Sequence, residues 1–319
     1  MKRVEIVVPC YNEAENITAL YDEVTAVFAS LAEYTWSLLF VDDGSSDGTV
    51  GEIKKLREKD ATHVNLVSFA RNFGKEAAIY AGLENSIGDL VVLMDADLQH
   101  PPAMLPEMLK GIEEGYDCCG ARRVSRKGEP VIRSLFSKMF YGFINKVTCM
   151  HLVPGGSDYR VMTRQMVNAV LQLTERERFI KGILSWVGFD TKWIPYENVE
   201  RHAGKTKWTF TGLGGYALNG FVAFATTPLR AVVYMGALIV IASIAYAIYT
   251  FIMALDPATV RSGFSTIIIL MLFLGGVIIT TLGVIGEYMA RIYLELKHRP
   301  IYIAKENTTE SEPDHREKA

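Results

Sequence analysis

The chain has 319 residues, with 33 Lys+Arg against 36 Asp+Glu and a formal net charge of −3 at pH 7. That balance lacks the basic footprint of a general nucleic-acid binder, and the length allows one large domain or two small ones. Half of the residues are apolar, 22% are charged and the mean hydropathy is +0.16. The apolar residues are concentrated in particular runs, which excludes a purely soluble protein.

The apolar run after Met1-Lys2-Arg3 is too short for a signal peptide and has no small-residue cleavage site. It reads as a first strand over 3–9, and this part of the chain is expected to stay in the cytoplasm. Ile17, Leu20, Val24, Val27, Phe28 and Leu31 then form a helical stripe. Trp36 to Val41 reads as a strand closing on Asp42-Asp43-Gly44, Val64 to Phe69 as another strand, Lys75 to Asn85 as a helix, and Asp89 to Met94 as a further buried strand. Such alternation predicts an α/β fold with a mostly parallel, Rossmann-like sheet, helices on both faces and ligands outside the carboxyl ends of the strands. Polar clusters stand at three of those ends: Tyr11-Asn12-Glu13, Asp42-Asp43-Gly44-Ser45 and Asp95-Ala96-Asp97.

Further along, Ile132, Leu135, Phe136, Met139, Phe140, Phe143, Ile144 and Val147 share one helical face. Six basic residues and one acid lie between Arg122 and Lys138. Two readings stand for the helix over about 131–148: a basic amphipathic element in a bilayer interface, or an ordinary helix packed on the soluble core. A Gly- and aromatic-rich stretch over 209–228 reads as a second interfacial segment. Two charge-free runs follow, over 231–255 and 264–286, each longer than the roughly 20 residues that span a hydrocarbon core. The basic residues Arg230, Arg291, Lys297, His298 and Arg299 flank them and place both termini in the cytoplasm. Gly275-Gly276 would permit helix contacts and hence a homo-oligomer. The region 291–319 reads as a cytoplasmic tail, partly disordered, since it is polar after Ile303. The cysteines, Cys10, Cys118, Cys119 and Cys149, form no CxxC pair and read as small buried hydrophobes in a reducing compartment.

Several motifs fail on inspection. The Asp43-x-Ser45-x-Asp47-Gly48 run has Lys54 where a calcium loop needs a bidentate Glu, and Gly204-Lys205-Thr206 has Val199 where a P-loop needs Gly. Asp95-Ala96-Asp97 closes an apolar strand, so its carboxylates either reach one divalent cation together or merely cap a turn.

The segments VVPCYNEAENI (7–17), VDDGSSDGT (41–49), RNFGKEAA (71–78), DADLQHPP (95–102), GGSDYR (155–160) and RHAGKTKW (201–208) together resemble family 2 glycosyltransferases of GT-A fold. With the paired C-terminal runs, the likeness narrows to the polyprenyl-phosphate group of bactoprenol glucosyltransferases and dolichyl-phosphate mannose synthases. The resemblance implies a GT-A domain over 1–208 and a transmembrane hairpin over 229–290. It implies a membrane enzyme that moves a hexose from a nucleoside-diphosphate sugar, UDP-glucose by first choice and GDP-mannose or UDP-GlcNAc by second, onto undecaprenyl phosphate. A catalytically silent nucleotide- or lipid-binding scaffold is the competing class.

By motif position, the resemblance places Pro9, Tyr11, Glu13 and Asp42 around base and ribose, and Asp95, Asp97 and Gln99 around Mg²⁺ or Mn²⁺. Asp95 and Gln99 fall beside the donor diphosphate, and Arg201 and Lys205 between that diphosphate and the acceptor phosphate; Lys75 is either a further diphosphate contact or a solvated helix start. Arg122 and Arg133 are further candidates for acceptor phosphate, with anionic lipid as the other reading of Arg122. Asp158 falls where relatives carry an acid often assigned as base. An acceptor phosphate with a second pKa near about 6 is already mostly dianionic, so base, positioning residue and turn acid all stay open for Asp158. His100 and Thr206 depart from the commoner Asp or Glu and Ser without removing a metal donor or a positive charge.

Overall fold

The computed structural model describes residues 1–124, 142, 153–176, 178–196, 227–254 and 263–309. The proposed interfacial segments near 131–148 and 209–228 lie outside the described residues, apart from Gly142, Thr227 and Pro228, as do Arg133, Arg201 and Lys205. The chain divides into two units, one formed by residues 1–216 and 300–319 and the other by 217–299.

The first unit is built on an eight-stranded sheet. Its strands are β1 (Lys2–Cys10), β2 (Tyr34–Asp42), β3 (Val64–Phe69), β4 (Leu90–Leu93), β5 (Cys118–Arg123), β6 (Gly156–Thr163), β7 (Thr191–Tyr196) and β8 (Ala304–Asn307), in the order β7-β5-β6-β4-β1-β2-β3-β8. The run β4-β1-β2-β3 is parallel throughout, and β5 and β7 are parallel to each other. β6 is antiparallel to both β4 and β5. Central parallel strands are covered on both faces and read as continuous apolar runs. Accordingly Leu38, Leu39, Phe40 and Val41 of β2 are all fully buried.

Helices α1 (Ala14–Phe28), α2 (Thr49–Lys59), α3 (Lys75–Asn85) and α4 (Leu105–Glu113) connect the strands, followed by α5 (Arg164–Leu171) and α6 (Ile180–Trp186). The stripe read in the sequence is the buried face of α1: Ile17, Leu20, Val24 and Phe28 pack with Ile6, Val8, Leu38 and Phe40. α3 lies against β1 and β2 at a closeness that only glycine allows, since a Cβ on Gly82 would stand 2.1 Å from Val7 Cγ1.

The tail is more ordered than its polarity predicts. Residues 304–307 form β8, antiparallel to β3. Backbone pairing does not read side-chain polarity, and the outer edge of β3 has N–H and C=O groups to satisfy. The Leu66 N–H donates to Thr308 Oγ1 at 2.8 Å and the Ala70 N–H to Ile303 O at 2.9 Å. Tyr302 stacks on Phe69 with ring centroids 4.9 Å apart, and its hydroxyl donates to Glu84 Oε2 at 2.7 Å.

The second unit holds α7 (Thr227–Ala254) and α8 (Phe264–Leu296). Both are long and apolar enough to cross a membrane: the candidate spans Leu229–Tyr249 and Ile267–Leu296 have mean hydropathies of 2.3 and 2.7, and their most apolar windows are not buried within the protein. The helix α8 has 33 residues, where the charge-free run ends at Gly286. At 1.5 Å per residue it is longer than a ~30 Å hydrocarbon core, and its last turns carry the Glu287–Arg291 ion pair at 3.0 Å.

Candidate active site

Three loops at the carboxyl ends of β1, β2 and β3 are stitched into one rim. The Asn12 N–H donates to Ser45 Oγ at 2.9 Å, and the Ser46 N–H returns a bond to Asn12 Oδ1 at 2.8 Å. The Glu13 N–H donates to Thr49 Oγ1 at 2.9 Å. Just before α2, Asp47 accepts the Thr49 N–H at 3.0 Å. Asp43 reaches the third loop, where its carboxylate accepts the N–H groups of Phe73 at 2.6 Å and Gly74 at 3.0 Å.

Gly44 lets these loops approach. Its φ is +71°, and a Cβ there would stand 2.5 Å from Arg71 C and 2.7 Å from Asn72 N, which are backbone atoms that cannot swing aside. Gly44→Ala should therefore lower stability by roughly 1–3 kcal/mol, read as a lower thermal midpoint of the purified chain.

Asp42, expected around base and ribose, lies at the end of β2. It is 1% exposed, and its oxygens accept the Ser45 N–H at 3.1 Å and the Ser68 hydroxyl at 2.9 Å. A buried carboxylate satisfied in this way shapes the rim from beneath. Pro9 is half-buried in β1, Tyr11 is 37% exposed, and Glu13 is half-buried with Oε2 accepting from Asn16 Nδ2 at 2.7 Å.

The β4 end contributes Asp95 and Asp97. Between and after them Ala96 and Leu98 are buried, and Leu98 has φ +56°. Asp97 Oδ1 accepts the Gln99 N–H at 3.2 Å. The register of β6 on β4 pairs Leu93 with Arg160, which carries Asp158 to the level of Asp95 two residues further on. Lys75, the first residue of α3, joins the two acids, with Nζ 2.7 Å from Asp95 Oδ1 and 3.1 Å from Asp158 Oδ2. Lys181 of α6 approaches Asp158 Oδ1 at 3.8 Å.

Burial opposes the charge on Asp158, but Lys181, Lys75 and Arg160 outweigh it and hold the carboxyl well below the usual range. Burial likewise opposes the charge on Lys75, and Asp95 with Asp158 holds its ammonium well above the usual lysine range. The rim itself is negative: burial first, then Asp42, Glu13, Asp95 and Asp47, pushes the Cys10 thiol up. Burial also lowers the pKa of His100, against the pull of Asp95, Asp97 and Asp158, so its imidazole is held neutral.

Beyond Asp158, Arg160, Lys181, Leu184, Phe189 and Trp193 help to line a cavity of about 320 Å³. Arg160 donates from Nη2 to Ser157 O at 2.8 Å, and its guanidinium carbon lies 5.8 Å from the Trp193 ring. Sequence reasoning passed over both cations. Arg160 ends the GGSDYR segment and could have been found there. Lys181 carries no local signal, because only the packing of α6 brings it to Asp158.

Of the expected site residues, Lys75, Asp95 and Asp158 come together in one ion-pair chain, with Asp97 and Gln99 on the same loop as Asp95. Arg122, at the end of β5, is exposed and donates from Nε to Pro154 O at 3.3 Å. Among the described residues no group of three or more His, Cys, Asp and Glu side chains is arranged to hold a metal alone.

Residues 5–171 match the family model of glycosyl transferase family 2, and residues 227–292 match that of the GtrB C-terminal hairpin. CsbB of Bacillus subtilis (strain 168), named as a glycosyltransferase, is 46% identical over 95% of this chain and 91% of its own length. The bactoprenol glucosyl transferase of Shigella phage SfV is 38% identical over 95% of this chain and 98% of its own. Among solved structures, mannosyl-3-phosphoglycerate synthase from Rubrobacter xylanophilus aligns with a TM-score of 0.48 at 19% identity, over 74% of this chain and 75% of that one. The chain thus belongs to glycosyl transferase family 2, as a glycosyltransferase anchored to the membrane by a GtrB-type C-terminal hairpin.

Proposed function

We propose that this protein transfers a hexose, best read as glucose, from a UDP-sugar to undecaprenyl phosphate at the cytoplasmic face of a bacterial membrane, inverting the anomeric centre. The observation that carries this reading is the ion-pair chain Asp95–Lys75–Asp158 at the carboxyl rim of a sheet whose chain also bears two membrane-length helices. Relatives named bactoprenol glucosyl transferase, similar over nearly their whole length, support the acceptor and the sugar.

Asp95 and Asp97, with Gln99 beside them, fit a divalent cation. They are hard oxygen donors on one loop of a negative rim, and Mg²⁺ or Mn²⁺ needs only one or two carboxylates when phosphate oxygens complete its shell. When bound, such an ion supplies Lewis-acid neutralisation of the departing diphosphate. Tyr11, Pro9 and Glu13 border the nucleotide side of the rim. Lys75 places fixed positive charge beside the diphosphate, and Arg201 and Lys205 add theirs between donor and acceptor phosphates, Arg in bidentate fashion and Lys as a point charge. Arg122 and Arg133 attract the acceptor's phosphate or the anionic surface around it.

Asp158 orients rather than deprotonates. A dianionic phosphate needs no base, and a carboxylate held ionised by three cations is a weak one. Its place between Lys75 and Lys181 suits it to fixing both ammonium groups toward the reacting sugar. Cytoplasmic termini follow from the basic flanks of the hairpin.

The test is incubation of membranes containing the protein with undecaprenyl phosphate and labelled UDP-glucose, UDP-GlcNAc or GDP-mannose. Label from UDP-glucose is expected in the lipid phase. Label from another donor alone would correct the sugar, and none from any donor would favour the silent scaffold.

A further inference from the structure

We infer that Lys75 is a built-in competitor for the divalent cation at Asp95, so that metal binds well only together with a nucleoside diphosphate. The inference rests on the reading of Asp95 and Asp97 as metal donors.

The placement of Lys75 is enforced from its backbone. It follows Gly74, whose φ is +102° and whose N–H is held by the buried Asp43 carboxylate at 3.0 Å. The start of α3 is therefore pinned to the same rim as the acids. From there Nζ sits 2.7 Å from Asp95 Oδ1, a direct charge-assisted contact with one of the two carboxylates of the motif. The second arm of the ammonium, to Asp158 Oδ2 at 3.1 Å, keeps the side chain at this spot even though it is 43% exposed. Lys181 also faces Asp158, at 3.8 Å. A bare dication entering at Asp95 thus meets a cation already in possession, with a second one behind it.

A metal that arrives with a diphosphate meets different electrostatics. The diphosphate brings oxygens able to accept the ammonium that the metal displaces from Asp95, while Asp158 continues to hold its other N–H. Repulsion between Lys75 and the metal is then offset by attraction between Lys75 and the donor. Such coupling is reciprocal: if diphosphate tightens metal, metal tightens diphosphate by the same factor. Without Lys75, Asp95 would be open to the metal alone and the two ligands would bind more independently.

The experiment measures free Mn²⁺ by electron paramagnetic resonance during titration of the full chain in detergent, with and without UDP. In Lys75→Gln, Mn²⁺ alone should bind at least about fivefold more tightly than in the parent, and the tightening caused by UDP should shrink by a similar factor. Lys75→Arg, which keeps the charge, should preserve the parental pattern, and Asp95→Asn should weaken Mn²⁺ binding in both backgrounds. Thermal unfolding followed by circular dichroism confirms that each variant is folded. Equal or weaker Mn²⁺ binding by folded Lys75→Gln overturns the inference. If the parent nevertheless binds Mn²⁺ in a UDP-dependent way, the metal reading of the acids stands and only the role of Lys75 falls. If neither protein binds Mn²⁺ under any condition, the metal reading falls as well. Mn²⁺ binding by the parent that UDP leaves unchanged also overturns the inference, because the coupling through the diphosphate is then absent.

Discussion

Asp97→Ala should reduce sugar transfer to undecaprenyl phosphate by roughly 10²–10³-fold, the size of loss seen when charge stabilisation of a transition state is removed. The leaving diphosphate gains negative charge as the glycosidic bond breaks, and Asp97 is one of two carboxylates able to place a counter-charge there. The loop itself should survive the change. Its course is set by buried Ala96 and Leu98, and Asp97 accepts the Gln99 N–H at 3.2 Å. The thermal midpoint should therefore move little while initial rates in membranes, normalised to protein, collapse. Rates equal to those of the parent would remove the metal assignment.

The second large effect concerns Asp158. Asp158→Asn should lower turnover by about 10²-fold while leaving the acidic limb of the pH–rate profile where it was. The sign follows from its surroundings: Lys181, Lys75 and Arg160 overcome burial and depress the carboxyl, so it stays ionised as pH falls through the ordinary carboxylate range. An acid limb near pH 5 or 6, if one is seen, then belongs to another group, for example the acceptor phosphate with its second pKa near about 6. The loss in the Asn variant comes from the two lysines, which lose their anchor at 3.1 Å and 3.8 Å. A profile whose acidic limb disappears in Asp158→Asn would instead make Asp158 the base. Measurement of kcat against pH over about 5–8 with both proteins separates the two.

How much of this was legible beforehand depends on whether the cause was local. The parallel strands and their helices were visible because buried runs and the α1 stripe are written at short range, and the rim motifs stand next to the strands that end at them. The spans were visible because solvent change is a matter of composition. The approach of Asp158 to Asp95 was not, since it is set by the antiparallel register of β6 on β4, in which Leu93 pairs with Arg160, 67 residues later. Asp42 and Asp43 look alike as acids at a strand end, and both are buried with hydrogen-bond donors from the loops around them. Their side-chain directions depend on which backbone N–H groups the neighbouring loops bring within reach, and that is tertiary information. Strand β8 was missed for the same reason, because its partner, β3, lies more than 200 residues earlier, as the Leu66–Thr308 bond with its separation of 242 shows.

The short strand β8 also bears on how copies of this protein can meet. Once it has covered β3, the outermost strand on that side is only four residues long and presents Lys305 and Glu306, with Glu306 paired to Lys54 at 2.6 Å. On the opposite side the outermost strand among the described residues is β7, which includes Pro195, a residue with no N–H to offer. Brevity, charge and proline are the means by which natural sheets refuse a further strand. Among the described residues, both flanks of the sheet thus carry features that disfavour continuous pairing between molecules.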